Sequence, residues 1–179
     1  MRQARTAVAI AVVMLVGGLA CIGQSENSAF PSVEQRLAGF ADRMRLGLSI
    51  ASVAAFSPTL SDARGHAERL IALLRGDPRD PVPGLISQAE LFADWILARS
   101  FDPEVRRTLL GAAANVQGFL RLAVEAVISA NRDRGLANAT EDLLRVYTYL
   151  LAAWAQPVDG IVVPGLSTLL RAFDAPVTT

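Results

Sequence analysis

The chain has 179 residues, enough for one compact domain with its own hydrophobic core and short for two. Hydrophobic residues make up 52% of it and charged residues 19%, so most of the chain is too apolar to remain disordered. Its 17 basic residues balance its 17 acidic ones, and the basic residues are arginines scattered singly or in pairs. This distribution excludes a nucleic-acid-binding surface.

The first 20 residues have the three-part layout of a secretory signal peptide. Arg2 and Arg5 form a positive n-region, residues 7–16 form an apolar h-region, and residues 17–20 form an exit of mostly small side chains. Cys21, the only cysteine of the chain, follows directly. The layout predicts that the chain is exported and that residues 1–20 are a signal segment.

The stretch Gly18-Leu19-Ala20-Cys21 resembles the lipobox of bacterial lipoproteins. Ala20 and Cys21 carry the resemblance, whereas Gly18 and Leu19 differ from the residues that the lipobox prefers. The resemblance implies that Cys21 is the lipidated first residue of the mature chain and that residues 21–31 are a tether. Two alternatives stay open: ordinary cleavage after Ala20 would secrete the chain, and an uncleaved segment would act as a membrane anchor.

From Ser32 onward, apolar residues recur at every third or fourth position without sustained alternation, which predicts an all-α domain. The first helix begins with Ser32 as N-cap and Gln35 in the capping-box position, and it ends before Pro58. A second helix is expected over residues 60–75, with Gly76 as a left-handed residue after its end.

Three prolines between Asp77 and Gly84 predict an extended connection. A third helix is expected over residues 85–99. The longest helix should start after the N-cap Asp102, with Pro103 in its first position, and run to about residue 131. Its inward positions follow heptad-like steps: Val105, Leu109, Ala112, Val116, Phe119, Ala123 and Val127.

A fifth helix, with Asn138 as N-cap and Glu141 in the capping-box position, should end before Pro157. A short final helix is expected over residues 164–173. Five or six helices joined by short connections predict an up-and-down bundle over residues 32–175, with shallow crossing angles between neighbours.

Three small residues, Gly111, Ala114 and Gly118, form a smooth strip along the longest helix. Such a strip allows the backbone of a neighbouring helix to approach closely. We therefore expect a tight helix contact at this strip.

His66 is the only histidine of the chain, and Asp62 precedes it by four residues, so both occupy one face of the second helix. If the third helix returns antiparallel, Asp94 lies level with His66 and Glu90 lies one turn away. These four side chains are the candidate metal ligands. In the alternative interpretation, Asp62 complements the helix dipole, His66 borders the apolar face, and Glu90 and Asp94 are solvated.

Five aromatic residues are candidates to line a pocket for an apolar ligand, although their helical spacing is also typical of plain core: Phe92, Trp95, Phe119, Tyr147 and Trp154. No serine-hydrolase, haem, di-iron or nucleotide-binding signature occurs in the sequence.

These observations predict a non-enzymatic, lipid-anchored protein of the cell envelope, facing the periplasm or the cell exterior. Its bundle would act as an interaction or structural module for an envelope partner, without a cofactor. The alternative function is the binding of a small apolar ligand or a metal ion.

Overall fold

The computed structural model describes residues 31–154 and 163–174, and these two stretches contain helices, turns and no strand. The predicted all-α bundle is therefore confirmed. Cys21, the predicted signal segment and residues 21–30 of the predicted tether lie outside the described residues. The described helices are α1 (Val33–Ala54), α2 (Leu60–Arg75), α3 (Leu85–Glu90), α4 (Phe92–Leu97), α5 (Pro103–Arg132), α6 (Leu136–Trp154) and α7 (Leu166–Ala172).

The long helices α5 and α6 form the central pair of the bundle, joined by a tight connection that makes them antiparallel neighbours. Helix α1 packs on α6 and α2, and α2 also packs on α5. The short helices α3, α4 and α7 lie against α5. None of the helices in the described stretches is both long and apolar enough to cross a membrane.

The predicted side-chain caps are present at the starts of α1 and α5. At α1, the Gln35 amide donates to Ser32 Oγ at 3.2 Å, and the Ser32 amide donates to Gln35 Oε1 at 2.9 Å, which completes the predicted capping box. At α5, the Glu104 amide donates to Asp102 Oδ1 at 2.9 Å, with Pro103 in the first turn. The local signals therefore determine these two helix starts.

The predicted cap of the fifth helix is wrong. Helix α6 already begins at Leu136, so Asn138 lies inside it as an exposed residue. The Ala139 amide donates to the Gly135 carbonyl at 3.1 Å, which puts Gly135 at the helix start. The earlier start brings Leu136 against the core, and this burial outweighs the stronger capping tendency of asparagine.

The predicted third helix is interrupted at Leu91, which separates α3 from α4, and the second part ends at Leu97 rather than at residue 99. At the break, the Leu91 amide donates to the Gln88 carbonyl at 3.2 Å, a tighter turn than that of an α-helix. Gln117 of α5 donates its side-chain amide to the Ala89 carbonyl at 3.0 Å. A side chain that enters the helical hydrogen-bond ladder in this way is a recognised cause of a kink.

The prediction of a left-handed residue at Gly76 requires a positive φ, and the observed φ is 94°. Its ψ of 148°, however, lies outside the left-handed helical region. The chain therefore leaves α2 in an extended direction rather than in a left-handed cap. The backbone of Gly84 occupies the space beside it, since a Cβ atom on Gly76 would lie 3.0 Å from the Gly84 nitrogen.

The inward face of α5 differs in part from the predicted one. Val105 is exposed and Phe119 is only half-buried, whereas Leu120 is fully buried. The stripe of buried residues starts at Leu109, one turn later than predicted, because the first turn of α5 is not covered by a neighbouring helix. From Leu109 onward the stripe keeps the heptad-like spacing.

The expected tight contact at the strip of small residues is wrong as well. Gly111, Ala114 and Gly118 are exposed, and a Cβ atom on either glycine would meet no atom within 4 Å. The close approach occurs instead at Gly47 of α1. A Cβ atom there would lie 3.2 Å from Leu73 Cδ2 and 3.3 Å from Leu150 Cδ1, so α1, α2 and α6 meet at this glycine.

The start of α1 is tied to the end of the α3–α4 segment by an ion pair between Glu34 and Arg99. The Arg99 guanidinium also lies 4.8 Å from the centre of the Phe173 ring. Hydrogen bonds from its own backbone amide and from the Ser32 side chain, followed by the Arg99 interaction, lower the pKa of Glu34. Because the pair is exposed, its contribution to the free energy of unfolding is small, and its main effect is to orient this end of the bundle.

Candidate functional site

A groove of about 390 Å³ runs along the surface between α1 and α2. Its floor is apolar and comes from both helices: Leu46, Ile50, Ala72 and Leu73. Charged side chains border it, with two arginines and two aspartates: Arg43, Arg69, Asp77 and Asp80. An apolar floor with a charged rim is the usual composition of a surface that binds another molecule.

The groove is continuous with an exposed apolar surface on α1 that consists of Leu46, Ile50, Val53 and Phe56, called here the α1 face. The spacing of its first three members, four and then three residues, puts them on one side of the helix. Leu46 is 52% exposed, Val53 57% and Phe56 85%, while Ile50 is half-buried. Large apolar side chains are therefore grouped on the outside of a helix whose opposite side is fully buried.

Phe56 projects from the end of α1. Its amide donates to the Val53 carbonyl at 3.1 Å, so the residue continues the last turn of the helix rather than lying in a loose loop. The Ser57 amide donates to the Ala54 carbonyl at 3.1 Å and prolongs the same turn. The aromatic ring is thus held in place by an ordered backbone while it stays in solvent.

One end of the groove is closed by the proline-rich connection, and Arg43 holds that connection. Its guanidinium donates to the Pro83 carbonyl at 2.5 Å and to the Leu73 carbonyl at 3.4 Å. Gln88 also donates to the Pro83 carbonyl, at 2.6 Å. Burial lowers the pKa of the Arg43 guanidinium, while the Asp80 carboxylate acts in the opposite direction.

The connection itself is ordered by two aspartates, each of which accepts a hydrogen bond from a backbone amide two residues later. Asp77 accepts from Arg79 and Asp80 accepts from Val82, both at 2.9 Å. Together with Arg43, these bonds hold the connection in a defined conformation at the rim of the groove. The shape of the groove is therefore built into the fold.

Replacing Arg43 with methionine should loosen this rim, because methionine keeps most of the apolar stem but donates no hydrogen bond. We expect the free energy of unfolding to fall by about 1–2 kcal/mol. Denaturant unfolding followed by circular dichroism measures the change. The matched control is Arg69→Met, since Arg69 borders the same groove without a hydrogen bond among the described residues, and its effect should stay within about 0.5 kcal/mol. Equal losses in both variants would contradict the role assigned to Arg43.

The four candidate metal ligands are not brought together. Asp62 accepts a hydrogen bond from the Thr59 hydroxyl at 2.7 Å at the start of α2. Glu90 is exposed and lies 3.9 Å from Arg121 of α5, and Asp94 is exposed. In residues 31–154 and 163–174, no three side chains of the types His, Cys, Asp and Glu lie close enough to share a metal ion.

This finding removes the geometric basis of the metal hypothesis. For Asp94 the physical reason is the kink at Leu91, since α4 packs against α5 and is not a continuation of α3 beside α2. Glu90 precedes the kink and lies beside Arg121 of α5 instead. His66 borders a small groove of about 150 Å³ together with Ser61, Asp62, Gly65 and Arg69. Its Nδ1 atom is buried and has no hydrogen-bond partner among the described residues.

The aromatic residues that were predicted to line a pocket belong to the hydrophobic core or pack against it. The Phe92 ring is fully buried, with ring centres 4.8 Å from Phe40 and 5.4 Å from Trp95. Phe119 and Tyr147 are half-buried against the core, and the Arg45 guanidinium covers Trp154 at 5.3 Å. None of the five lines the α1–α2 groove, the small groove at His66 or the depression at the proline-rich connection.

The α1 face is the feature that the sequence interpretation missed, although its signal was present. Leu46, Ile50 and Val53 recur at helical spacing beside the residues of α1 that the structure buries, such as Met44, Gly47 and Ala51. A helix with two apolar stripes is more hydrophobic than packing on one side requires. Counting both stripes would have indicated a second contact surface on this helix.

No protein-family model, no curated protein and no solved structure matches the chain.

Proposed function

We propose that this chain is an exported protein of the cell envelope, attached to a membrane by lipid on Cys21, whose helical bundle is a non-enzymatic protein-interaction module. The observation that carries the interaction role is the α1 face beside the α1–α2 groove. Leu46, Val53 and Phe56 expose large apolar side chains to water. Exposed apolar surface lowers solubility, so a group of such side chains marks an interaction site. The rigid rim held by Arg43 supports binding of a partner of defined shape.

Among the described residues, His66 lacks the arrangement that a serine hydrolase uses. A general base of that type needs a third group that orients its ring. Asp62, the nearest candidate in sequence, is hydrogen-bonded to Thr59 instead. The His66 Nδ1 atom is buried and has no hydrogen-bond partner in the described part of the chain.

The attachment is supported by the order of segments at the N-terminus. A lipidated Cys21 would be followed by about ten residues before the α1 cap at Ser32, which span roughly 35 Å when extended. The bundle would then be able to stand clear of the lipid head groups. Each buried methylene of the acyl chains contributes about 0.8 kcal/mol, so a diacylglycerol group together with an N-acyl chain gives stable anchoring.

Intact-mass analysis of the protein from the native membrane fraction tests the attachment. We expect a chain that has lost residues 1–20 and carries a diacylglycerol mass on Cys21. A chain that begins after Ala20 without lipid would indicate secretion instead, and a full-length unmodified chain would contradict both cleavage hypotheses.

Substituting Cys21→Ala should remove the acceptor atom for the lipid. We expect most of the protein to leave the membrane fraction, or to accumulate with its signal segment uncleaved, as judged by fractionation and mass. The control is Ser28→Ala in the predicted tether, which should leave both the mass and the fraction unchanged. An unaltered distribution of the Cys21→Ala protein would show that the attachment does not use this residue.

A further inference from the structure

The two ends of the groove between α1 and α2 carry different charges. A Cβ atom on Gly47 would lie 3.2 Å from Leu73 Cδ2, so these two residues are level on the two helices. Helix α2 runs antiparallel to α1, because a short connection joins them. Arg43 is therefore level with the start of the proline-rich connection, whereas Ile50 is level with the turn of α2 that carries Arg69.

The end at the proline-rich connection has an excess of negative charge. Asp77 and Asp80 line the groove there together with a single guanidinium, that of Arg43. This guanidinium is already bonded to the Pro83 and Leu73 carbonyls. One oxygen of each aspartate accepts a backbone amide, and the second accepts no hydrogen bond from the described residues. Both carboxylates can therefore accept hydrogen bonds from a bound molecule.

Arg69 gives the opposite end of the groove a positive charge. Its side chain is exposed and has neither a hydrogen bond nor an ion pair in the described part of the chain. Two other arginines close to the connection, Arg75 and Arg79, do not line the groove. Arg69 and Asp77 are eight positions apart, which corresponds to about 12 Å along α2. The apolar floor thus lies between a positive end and a negative end.

The depth of the groove favours a protein segment over a small molecule. Leu46 contributes to the floor and is still 52% exposed, so the groove is shallow. A pocket for a small ligand encloses most of that ligand. Two neighbouring helices instead form a shallow groove that fits the apolar side of a third helix. On such a helix, residues seven positions apart lie on one side and about 10 Å apart, close to the spacing of the two charged ends.

From this arrangement we propose that the groove binds a helix of a partner protein that carries a basic residue and, seven positions away, an acidic residue, with apolar residues between them. The basic side chain would bind Asp77 and Asp80, and the acidic one would bind Arg69. The apolar residues would cover Leu46 and Ile50. The inference rests on the interaction role proposed above and gives the chemistry of the partner. Exposed ion pairs contribute little energy, so the charges select and orient the partner while the apolar floor supplies most of the affinity.

Three synthetic helical peptides test the charge pattern by fluorescence anisotropy, with the protein in the form recovered from cells. All three contain the same leucines and alanines, and the two positions seven residues apart hold Lys and Glu, Lys and Lys, or Glu and Glu. We expect the Lys/Glu peptide to bind with a Kd below about 1 mM and at least about threefold more tightly than the other two. Arg69→Glu makes both ends of the groove negative, so the Lys/Lys peptide should then bind most tightly.

Two matched controls separate the groove from the rest of the surface. Arg132→Glu reverses an exposed charge at the end of α5, outside the groove, and should leave the order of the three peptides unchanged. Leu46→Asp puts a charge in the floor and should weaken binding of the Lys/Glu peptide at least about 10-fold. Leu144→Asp, at a residue of similar exposure (50%) on α6, should not. Circular dichroism checks that each variant is folded.

Equal binding of the three peptides, or no binding below about 1 mM, would overturn the proposal. Cross-linking in intact cells from Leu46→Cys, with a short bifunctional thiol reagent, tests for other occupants. An adduct of twice the chain mass would overturn the proposal in favour of a second copy. Cys21→Ala protein that floats with anionic phospholipid vesicles through Leu46 would overturn it in favour of a lipid surface.

The charge pattern and the interaction role fail in distinguishable ways. An adduct of Leu46→Cys with another protein, together with equal binding of the three peptides, would overturn only the charge pattern. Absence of both the adduct and peptide binding would overturn the interaction role as well. The intact mass that tests lipid on Cys21 depends on neither result.

Discussion

Gly84→Ala is expected to lower the free energy of unfolding by about 3 kcal/mol or more, a large share of the stability of a domain of this size. Gly84 has an ordinary backbone conformation, with φ at −60° and ψ at 162°, so strain at the residue itself is not the cause. The cause is space. A Cβ atom there would lie 2.2 Å from the Arg75 carbonyl carbon and 2.3 Å from the Gly76 nitrogen.

Both neighbours of that Cβ atom are backbone atoms at the end of α2, which cannot turn aside as a side chain can. The proline-rich connection would have to move away from α2, and the Arg43 hydrogen bonds to the Pro83 and Leu73 carbonyls would be strained or lost. Denaturant unfolding measures the effect on the bundle.

Gly118→Ala is the matched control for Gly84→Ala. Gly118 lies in the middle of α5, is exposed, and has no atom within 4 Å of the position of a Cβ atom. Alanine at an exposed helical position should raise the free energy of unfolding by about 0.5–1 kcal/mol. The two substitutions add the same methyl group, so effects of equal sign would refute the packing described for the connection.

Phe40→Ala is expected to lower the free energy of unfolding by about 3–5 kcal/mol, because it leaves a large cavity where α1 meets α3 and α4. Phe40 is 1% exposed and its ring meets the Phe92 ring edge-on at 4.8 Å. The variant loses the burial of one ring together with a favourable aromatic contact. The measurement is again denaturant unfolding, at a protein concentration at which the chain is monomeric.

Phe56→Ala removes the same atoms from the same helix, but from a ring that is 85% exposed. Its effect on the unfolding of the monomer should stay within about 0.5 kcal/mol. A loss of stability equal to that of Phe40→Ala would contradict the exposure of the α1 face.

The sequence by itself determined the all-α class, the start of α1 at its capping box, the bounds of α2 and the start of α5. These features depend on interactions between residues two to four positions apart, such as Ser32 with Gln35 and Asp102 with Glu104, which the sequence displays directly. The same periodicity identified most of the buried stripe on α5.

Only the tertiary structure determined which apolar or small residues pack against another segment. It interrupted the third helix at Leu91, where Gln117 of α5 donates to the Ala89 carbonyl, and so directed Asp94 away from α2, and no three of the candidate ligands share a site. It put the close helix approach at Gly47 instead of Gly111 and Gly118, and it left Val53 and Phe56 in solvent. Periodicity tells which side of a helix a residue lies on, whereas only the packing of distant segments tells what that side meets.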